Sequence, residues 1–413
     1  MKKILLTILF VLPIMIFADT YTLDNLISEG LKNSFDMQNE EFNLESAKTD
    51  VTTSYLTLLP SGSLSANKSY SNDEWNLISS GFSMSQSVAW NDSRYFSITQ
   101  TLKNKESANL SYIDRKKRFV FDLFSKYINV LKTQKNIEIL KENYALQEKT
   151  TNRIKIKYKT GNAALLDVKQ SEISLLSYNI EITDAESKLD NMRYDLFSFI
   201  NIEDKGKEFE DIKIDVENVN INNIFFKKNN TIKISQNNFE NQKLSLLQQK
   251  LNLFPSLSFS TSYNFGSTYP YDFLNFKRYQ SSFSMGISFS YSIFDIPFNN
   301  LNYARSKRKL HLQYLTLGKS ISDEKIRFIH LKKDLRSLKK SYLLEKQKLT
   351  LAEDNFELAQ AQFNLGYISL LDFEQNKINL INSKLTFNNK YYDILTQIEN
   401  LKLQISSEIL NEW

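Results

Sequence analysis

The sequence predicts a mainly α-helical chain with transmembrane β-structure: tandem-duplicated, long coiled-coil hairpins plus four β-strands per chain. Three observations carry that prediction. Four serine-rich segments alternate large apolar with small uncharged residues, two proline-free stretches of about 65 residues keep coiled-coil spacing, and the second half of the chain repeats the first.

Composition bounds the alternatives. The chain has 413 residues, 52 basic and 47 acidic, for a net charge of +5. That near-balance gives no electrostatic argument for a nucleic-acid partner. Cysteine is absent, which excludes disulfides, thiolate metal sites, cysteine nucleophiles and a lipidated amino-terminal cysteine.

Residues 1–18 read as a signal peptide. Lys2 and Lys3 precede an apolar stretch from Ile4 to Phe17, and Ala18 precedes polar Asp19-Thr20. The stretch falls short of the roughly 20 residues that span a bilayer. No later run is long and apolar enough for a transmembrane helix, so any membrane crossing must be made by strands.

A first structural repeat is expected over 19–210. After an opening helix come strands at about 61–70 and 81–90, then hairpin helices at about 94–160 and 163–200. A charged, Asn-rich linker, 211–230, leads to a second repeat over 231–413. It holds strands at about 256–265 and 281–293 and hairpin helices at about 298–365 and 369–410.

The strands rest on alternation. SGSLSANKSY sets Leu64, Ala66 and Tyr70 against Ser61, Ser63, Ser65 and Ser69, and GFSMSQSVAW sets Phe82, Met84, Val88 and Trp90 against Ser83, Ser85 and Ser87. SLSFSTSYNF and SSFSMGISFSYSIFD repeat the pattern, with Leu257, Phe259 and Tyr263 in one and Phe283, Ile287 and Phe289 in the other. Ten-residue segments with one apolar and one small polar face, ending in aromatics, mark a transmembrane barrel. A soluble sandwich is the alternative, but Lys68 is the only charge within the expected strands 61–70, 81–90, 256–265 and 281–293. An open four-stranded sheet would leave two edges of unpaired backbone groups in lipid, each costing several kcal/mol. Closure therefore requires several copies: two would give a filled interior, three room for a lumen.

The rods rest on heptads. Leu331, Leu335, Leu338, Tyr342, Glu345, Leu349, Ala352, Phe356, Ala359 and Phe363 recur in alternating steps of four and three, with Glu345 the one break. Val130, Ile137, Leu140, Tyr144, Ile154 and Tyr158 keep a looser seam in the first rod. On the last helix, Leu371, Ile378, Ile381, Leu385, Tyr392 and Leu395 are expected to share one seam.

The repeat is visible directly. YKTGNAALLDVKQSEI (158–173) overlays FNLGYISLLDFEQNKI (363–378) without a gap, and LLPSGSLS (58–65) overlays LFPSLSFS (253–260). In this order, with YTLDNLISEGLKNS (21–34) opening the first repeat, the residues resemble the TolC-like outer-membrane efflux proteins over essentially the whole chain after residue 18.

The resemblance implies a homotrimer with a 12-stranded barrel, four strands from each chain, and a periplasmic tunnel of twelve helices. It implies a passive exit duct in the cell outer membrane, extending into the periplasm, for drugs, small molecules or proteins. An inner-membrane transporter would deliver the cargo through a periplasmic adaptor, as in tripartite efflux or type I secretion. The apolar strand faces would meet outer-membrane lipid and the serine faces a wet lumen. No catalytic, cofactor or metal residues are expected: His311 and His330 lie nineteen residues apart, without metal-pair spacing.

In the family the hairpin ends close the tunnel and dock the adaptor. The resemblance places a periplasmic gate at Asp372, with Gln375 where other members carry a second acid. Glu374 is the gate residue that would substitute for that acid, although it lies on another face of the helix, and Asp167 is the corresponding gate candidate in the first repeat. Lys157, Gly161, Gly366 and Ser369 fall at the hairpin tips where an adaptor would dock, Lys157 standing where many members have arginine. Ser369-Leu-Leu-Asp372 is also a capping-box pattern, and capping and gating are compatible roles for Asp372. The competing class is a periplasmic adaptor or coiled-coil scaffold without its own pore, which would not need four strands nearly free of charge.

Overall fold

The computed structural model describes residues 20–71, 74–212, 216, 229–267, 277 and 279–405. The expected signal peptide, most of the linker and the end of the last helix lie outside the described residues. In chain order the elements are α1 (Leu23–Asn33), α2 (Phe35–Leu56), β1 (Ser61–Ser71), β2 (Glu74–Ala89), α3 (Ser93–Lys159) and α4 (Leu165–Ile200). The second half has α5 (Asn230–Leu251), β3 (Ser256–Ser267), β4 (Gln280–Ser290), α6 (Ile296–Leu365) and α7 (Leu370–Ile405).

Helix starts are set locally. The side chains of Thr22, Asp92 and Asn229 accept from backbone N–H groups in the first turns of α1, α3 and α5. Pro297 opens α6, where a missing N–H costs nothing. With no proline beyond the first turn of either, α3 runs 67 residues and α6, which accommodates Gly318, runs 70. At about 1.5 Å per residue each rod is about 100 Å long.

The strands form one antiparallel sheet in the order β1-β2-β3-β4. Two strand ends differ from the sequence reading. β2 begins at Glu74 instead of near 81, because the β1 register slips between Asn67 and Lys68, which pair with Ser79 and Leu77. Ile78 is the extra residue of that bulge, and it breaks the alternation that would have revealed the upper strand. β4 ends at Ser290, short of 293, because Ile293–Asp295 already winds into a 3-10 turn before α6.

α3 with α4 and α6 with α7 form the two antiparallel hairpins, and α7 also packs on α3. Toward the sheet, the helices follow strand order, with α2 on α3, α3 on α5 and α5 on α6. The α3–α5 contact is polar: Asn230 donates to Asp114, Asn237 to Ser107, Asn241 to Asn104, and Gln100 to Ser245, at 2.7–3.2 Å.

The main apolar core lies midway along the rods, where Leu123, Tyr127, Val130, Leu196, Ile200 and Leu395 are fully buried. Each such Leu or Ile contributes about 1.5–3 kcal/mol. The Tyr127 hydroxyl lies 3.0 Å from the Tyr21 carbonyl and 2.6 Å from that of Glu210, pinning together the two segments that bridge at Tyr21 and Phe209. Arg193 holds Asp204 with two bonds of 2.8 Å. Burial works to raise the Asp204 carboxyl, but the guanidinium and the Gly206 N–H outweigh it and leave the pKa below its usual value.

All ten seam residues of α6 are buried or half-buried, Glu345 among them with its carboxylate 3.4 Å from Lys348. The expected α7 seam is corrected at its tip end. Leu371 and Ile378 are exposed, and Phe373, Lys377 and Leu380 fill the inner positions. The inner face differs because α7 meets α3 as well as α6, so two neighbours, not one, set its buried stripe.

Candidate functional site

Two regions of the fold have chemistry to offer: the sheet and the hairpin tips. The register aligns Ser61, Ser85, Ser262 and Ser284 in one row across all four strands. Hydroxyl bonds link Ser61 to Ser85 at 2.9 Å and Ser262 to Ser284 at 2.7 Å. Ser63–Ser83, Ser258–Ser288 and Ser256–Ser290 make further rungs at 2.6–2.7 Å. Along these rungs the face is polar and uncharged. The opposite face carries rows such as Val88, Phe259 and Ile287, all exposed in the single chain. Gln86 interrupts it, and its amide donates to the Leu58 carbonyl just before β1 begins.

At the end of the sheet nearest the helices, the Trp90 indole donates to the Pro255 carbonyl at 3.0 Å, with its ring edge against Phe254. An indole with one wet edge on an apolar rim suits a membrane–water boundary.

The tips are closed by the two conserved-length turns of the repeat. Gly161 and Gly366 take φ of 77° and 81°, the left-handed conformation that ends a helix. Asn162 donates to the Lys157 carbonyl and Tyr367 to that of Gln362, the wide bonds of such an ending. At the start of α7 the Ser369 hydroxyl accepts from the Asp372 N–H at 3.1 Å and donates to its carboxylate at 2.7 Å. At the start of α4 the Asp167 carboxylate accepts from the Ala164 N–H at 3.1 Å, a half box without the hydroxyl. Asp372 and Gln375 are exposed, Gln375 donating to Asn379.

The two tips are joined. Lys157 lies 5.1 Å from the centre of the Phe363 ring, and Arg153 donates to Asn364. Phe363 stacks on Phe373 at 4.7 Å, in a small core with Ile154, Val168, Phe356 and Leu380. Glu374 does not join Asp372. It is buried, 2.5 Å from Lys377, whose ammonium is wholly buried and donates to the side chain of Gln147. Gln147 in turn donates to Ser171, which bonds to Thr151 at 2.7 Å. Burial pushes the Lys377 pKa below its usual value, and Glu374 partly restores it.

The sequence reading missed this polar knot, because Lys, Gln, Thr and Ser at inner helical positions look like surface residues. The one available signal was the loosened α3 seam between Leu140 and Ile154, where Asn143, Gln147, Thr150 and Thr151 fill the buried positions. Among the described residues, no three His, Cys, Asp or Glu side chains converge as metal ligands, and no helix is long and apolar enough to cross a membrane.

Residues 26–201, most of the first repeat, match the outer membrane efflux protein family. No curated protein matches the sequence. In fold the chain is similar to the Campylobacter jejuni CmeC outer membrane channel, at 15% identity and a TM-score of 0.79, over 93% of this chain and 85% of that one. It is similar to the outer membrane protein VceC from Vibrio cholerae, at 12% identity and 0.77, over 93% and 94%. The open state of the Neisseria gonorrhoeae MtrE outer membrane channel matches at 13% identity and 0.75, over 93% and 88%.

Proposed function

We propose that this chain, whose first repeat belongs to the outer membrane efflux protein family, is the passive exit duct of a multi-component export system. The observation that carries the reading is the sheet: one face apolar, one face lined with serine rows, and its outer strands β1 and β4 each without a neighbour on one side among the described residues. In lipid that arrangement requires closure with further copies. Three copies supply twelve strands and an aqueous bore, with the serine rows inward and Phe259, Ile287 and Phe289 toward lipid. The protein then sits in the outer membrane, and its rods of about 100 Å reach through the periplasm.

The duct itself does no covalent chemistry. An inner-membrane transporter supplies the driving force, and a periplasmic adaptor docks on the tips, where Leu166, Tyr367 and Leu371 are more than 70% exposed. Asp372 from three copies converges near the mouth and forms a constriction that favours cations.

The test is planar-bilayer conductance of the detergent-purified protein after signal removal. Discrete, small, long-lived steps from a trimer-sized, heat-modifiable particle support the duct. A folded, water-soluble protein that gives no steps overturns it in favour of a coiled-coil scaffold.

A further inference from the structure

The duct reading leaves open how one copy recognises the next, and the repeat supplies the answer in register. Closing the sheet sets β4 beside the next copy's β1, antiparallel as β2 lies beside β3. α6 leaves β4 and α2 enters β1, so α6 must run beside the next copy's α2, just as α3 runs beside α5 within the chain. The two seams are repeat equivalents.

The internal register can therefore be carried over. The starts of α4 and α7, at Leu165 and Leu370, keep the offset of the tips, where Gly161 corresponds to Gly366. Followed up the unbroken rods, that correspondence takes Ser107 to Leu312, Gln100 to Arg305 and Asp114 to Lys319. The strand entries, Ser61 against Ser256, take Asn237 to Phe42, Ser245 to Asp50 and Asn230 to Phe35. The polar Asn237–Ser107 contact becomes Phe42 against Leu312, and Ser245–Gln100 becomes Asp50 against Arg305.

The side chains fit what the register demands. Phe42 is 72% exposed and Leu312 64% exposed in the single chain. Phe35, Phe42 and Leu56 recur at heptad spacing on the face of α2 away from α3, with Thr49 between them. α2 carries Asp36, Glu40, Glu41, Glu45 and Asp50 against one lysine, while Arg305, Arg308 and Lys309 share the face of α6 that holds Leu312. We propose that the exposed seam of α2 docks on α6 of a second copy of this chain, with Phe42 on Leu312 and Asp50 on Arg305.

The proposal rests on the duct reading and fixes its partner surface. The chain lacks cysteine, so Phe42→Cys with Leu312→Cys gives a clean crosslinking pair. A disulfide needs Cα atoms within about 7 Å. Mild oxidation of the detergent-extracted full-length protein should give a thiol-reversible ladder ending at the covalent trimer. Phe42→Cys with Arg305→Cys, about 10 Å out of register along the helix, should not. Independently, Asp50→Lys should lower the temperature at which the native oligomer is lost, and adding Arg305→Asp should restore it. An intact trimer that crosslinks only out of register, or not at all, overturns the seam while leaving the duct in place. Absence of any oligomer in the cysteine-free parent overturns both.

Discussion

The ammonium of Lys377, on α7, has no exposed surface and donates to the side-chain carbonyl of Gln147, on α3 of the other hairpin. Two long hairpins that share an apolar core midway are thus tied again near their tips by a polar contact. One oxygen of Glu374 faces Lys377, and the other is buried without a hydrogen bond. Such a knot holds two rods in one relative position, because sliding by a turn would strand a buried charge.

Lys377→Met should therefore be costly out of proportion to the contact it removes. It leaves Glu374 buried with no cation, which costs about 3–5 kcal/mol. Combining it with Glu374→Leu should recover most of that loss, since an apolar pair of similar volume needs no partner. Thermal unfolding of the helical signal in detergent reads both. A double variant no more stable than Lys377→Met would show that the pair is not the source of the cost.

The same lysine should give the protein a distinctive alkaline response. Burial holds its pKa below the ordinary lysine value, with Glu374 opposing. Below the depressed value both folded and unfolded forms are protonated, and the desolvation penalty is present in full. As pH rises from there toward about 10.4, the folded form gives up its proton first and the unfolded chain binds more, so this contribution to stability rises. Denaturation of the parent and of Lys377→Met at successive alkaline pH values should show the parent gaining on the variant. Parallel pH profiles would mean that the ammonium is solvated.

How far the sequence reached depends on what kind of residue marks an element. The sheet was legible because residues 256–265 and 282–290 keep a period of two without a charge, and the α6 seam because ten positions keep one 3.5-residue period. The upper half of β2 was not, since Leu77 and Ile78 stand side by side across a bulge. Nor was the knot around Lys377, where burial falls on residues whose chemistry says surface. Leu371 and Ile378 misled in the other direction: they keep the period but point away from the chain's own core. An apolar stripe says that something covers it, not which chain does.

The two faces of the sheet should respond oppositely to one substitution at adjacent positions. Ser288 belongs to the serine face and Ile287 to the apolar face of β4. A lysine in place of Ser288 projects into water and should leave assembly intact, shifting conductance toward anions. A lysine in place of Ile287 meets hydrocarbon and should cost about 2–4 kcal/mol near the bilayer midplane. Yield and heat stability of the detergent-extracted oligomer separate them. Equal tolerance at both positions would mean that neither face meets lipid.

Gating and capping at Asp372 should be separable because the hydroxyl and the charge can be removed one at a time. Ser369→Ala removes the acceptor for the Asp372 N–H and keeps the carboxylate, so it should cost about 1 kcal/mol of local stability. Without the Ser369 donor that carboxylate is held less firmly, but its charge remains, and cation preference in bilayers should persist. Asp372→Asn does the reverse: the side-chain oxygen still accepts from Ser369 while the charge is gone. If three such carboxylates line the mouth, this variant should lose cation selectivity and block by divalent ions with the helix start intact. Should Asp372→Asn conduct with the parent's selectivity and block, the carboxylate serves its helix alone, and the constriction must be sought elsewhere along the tips.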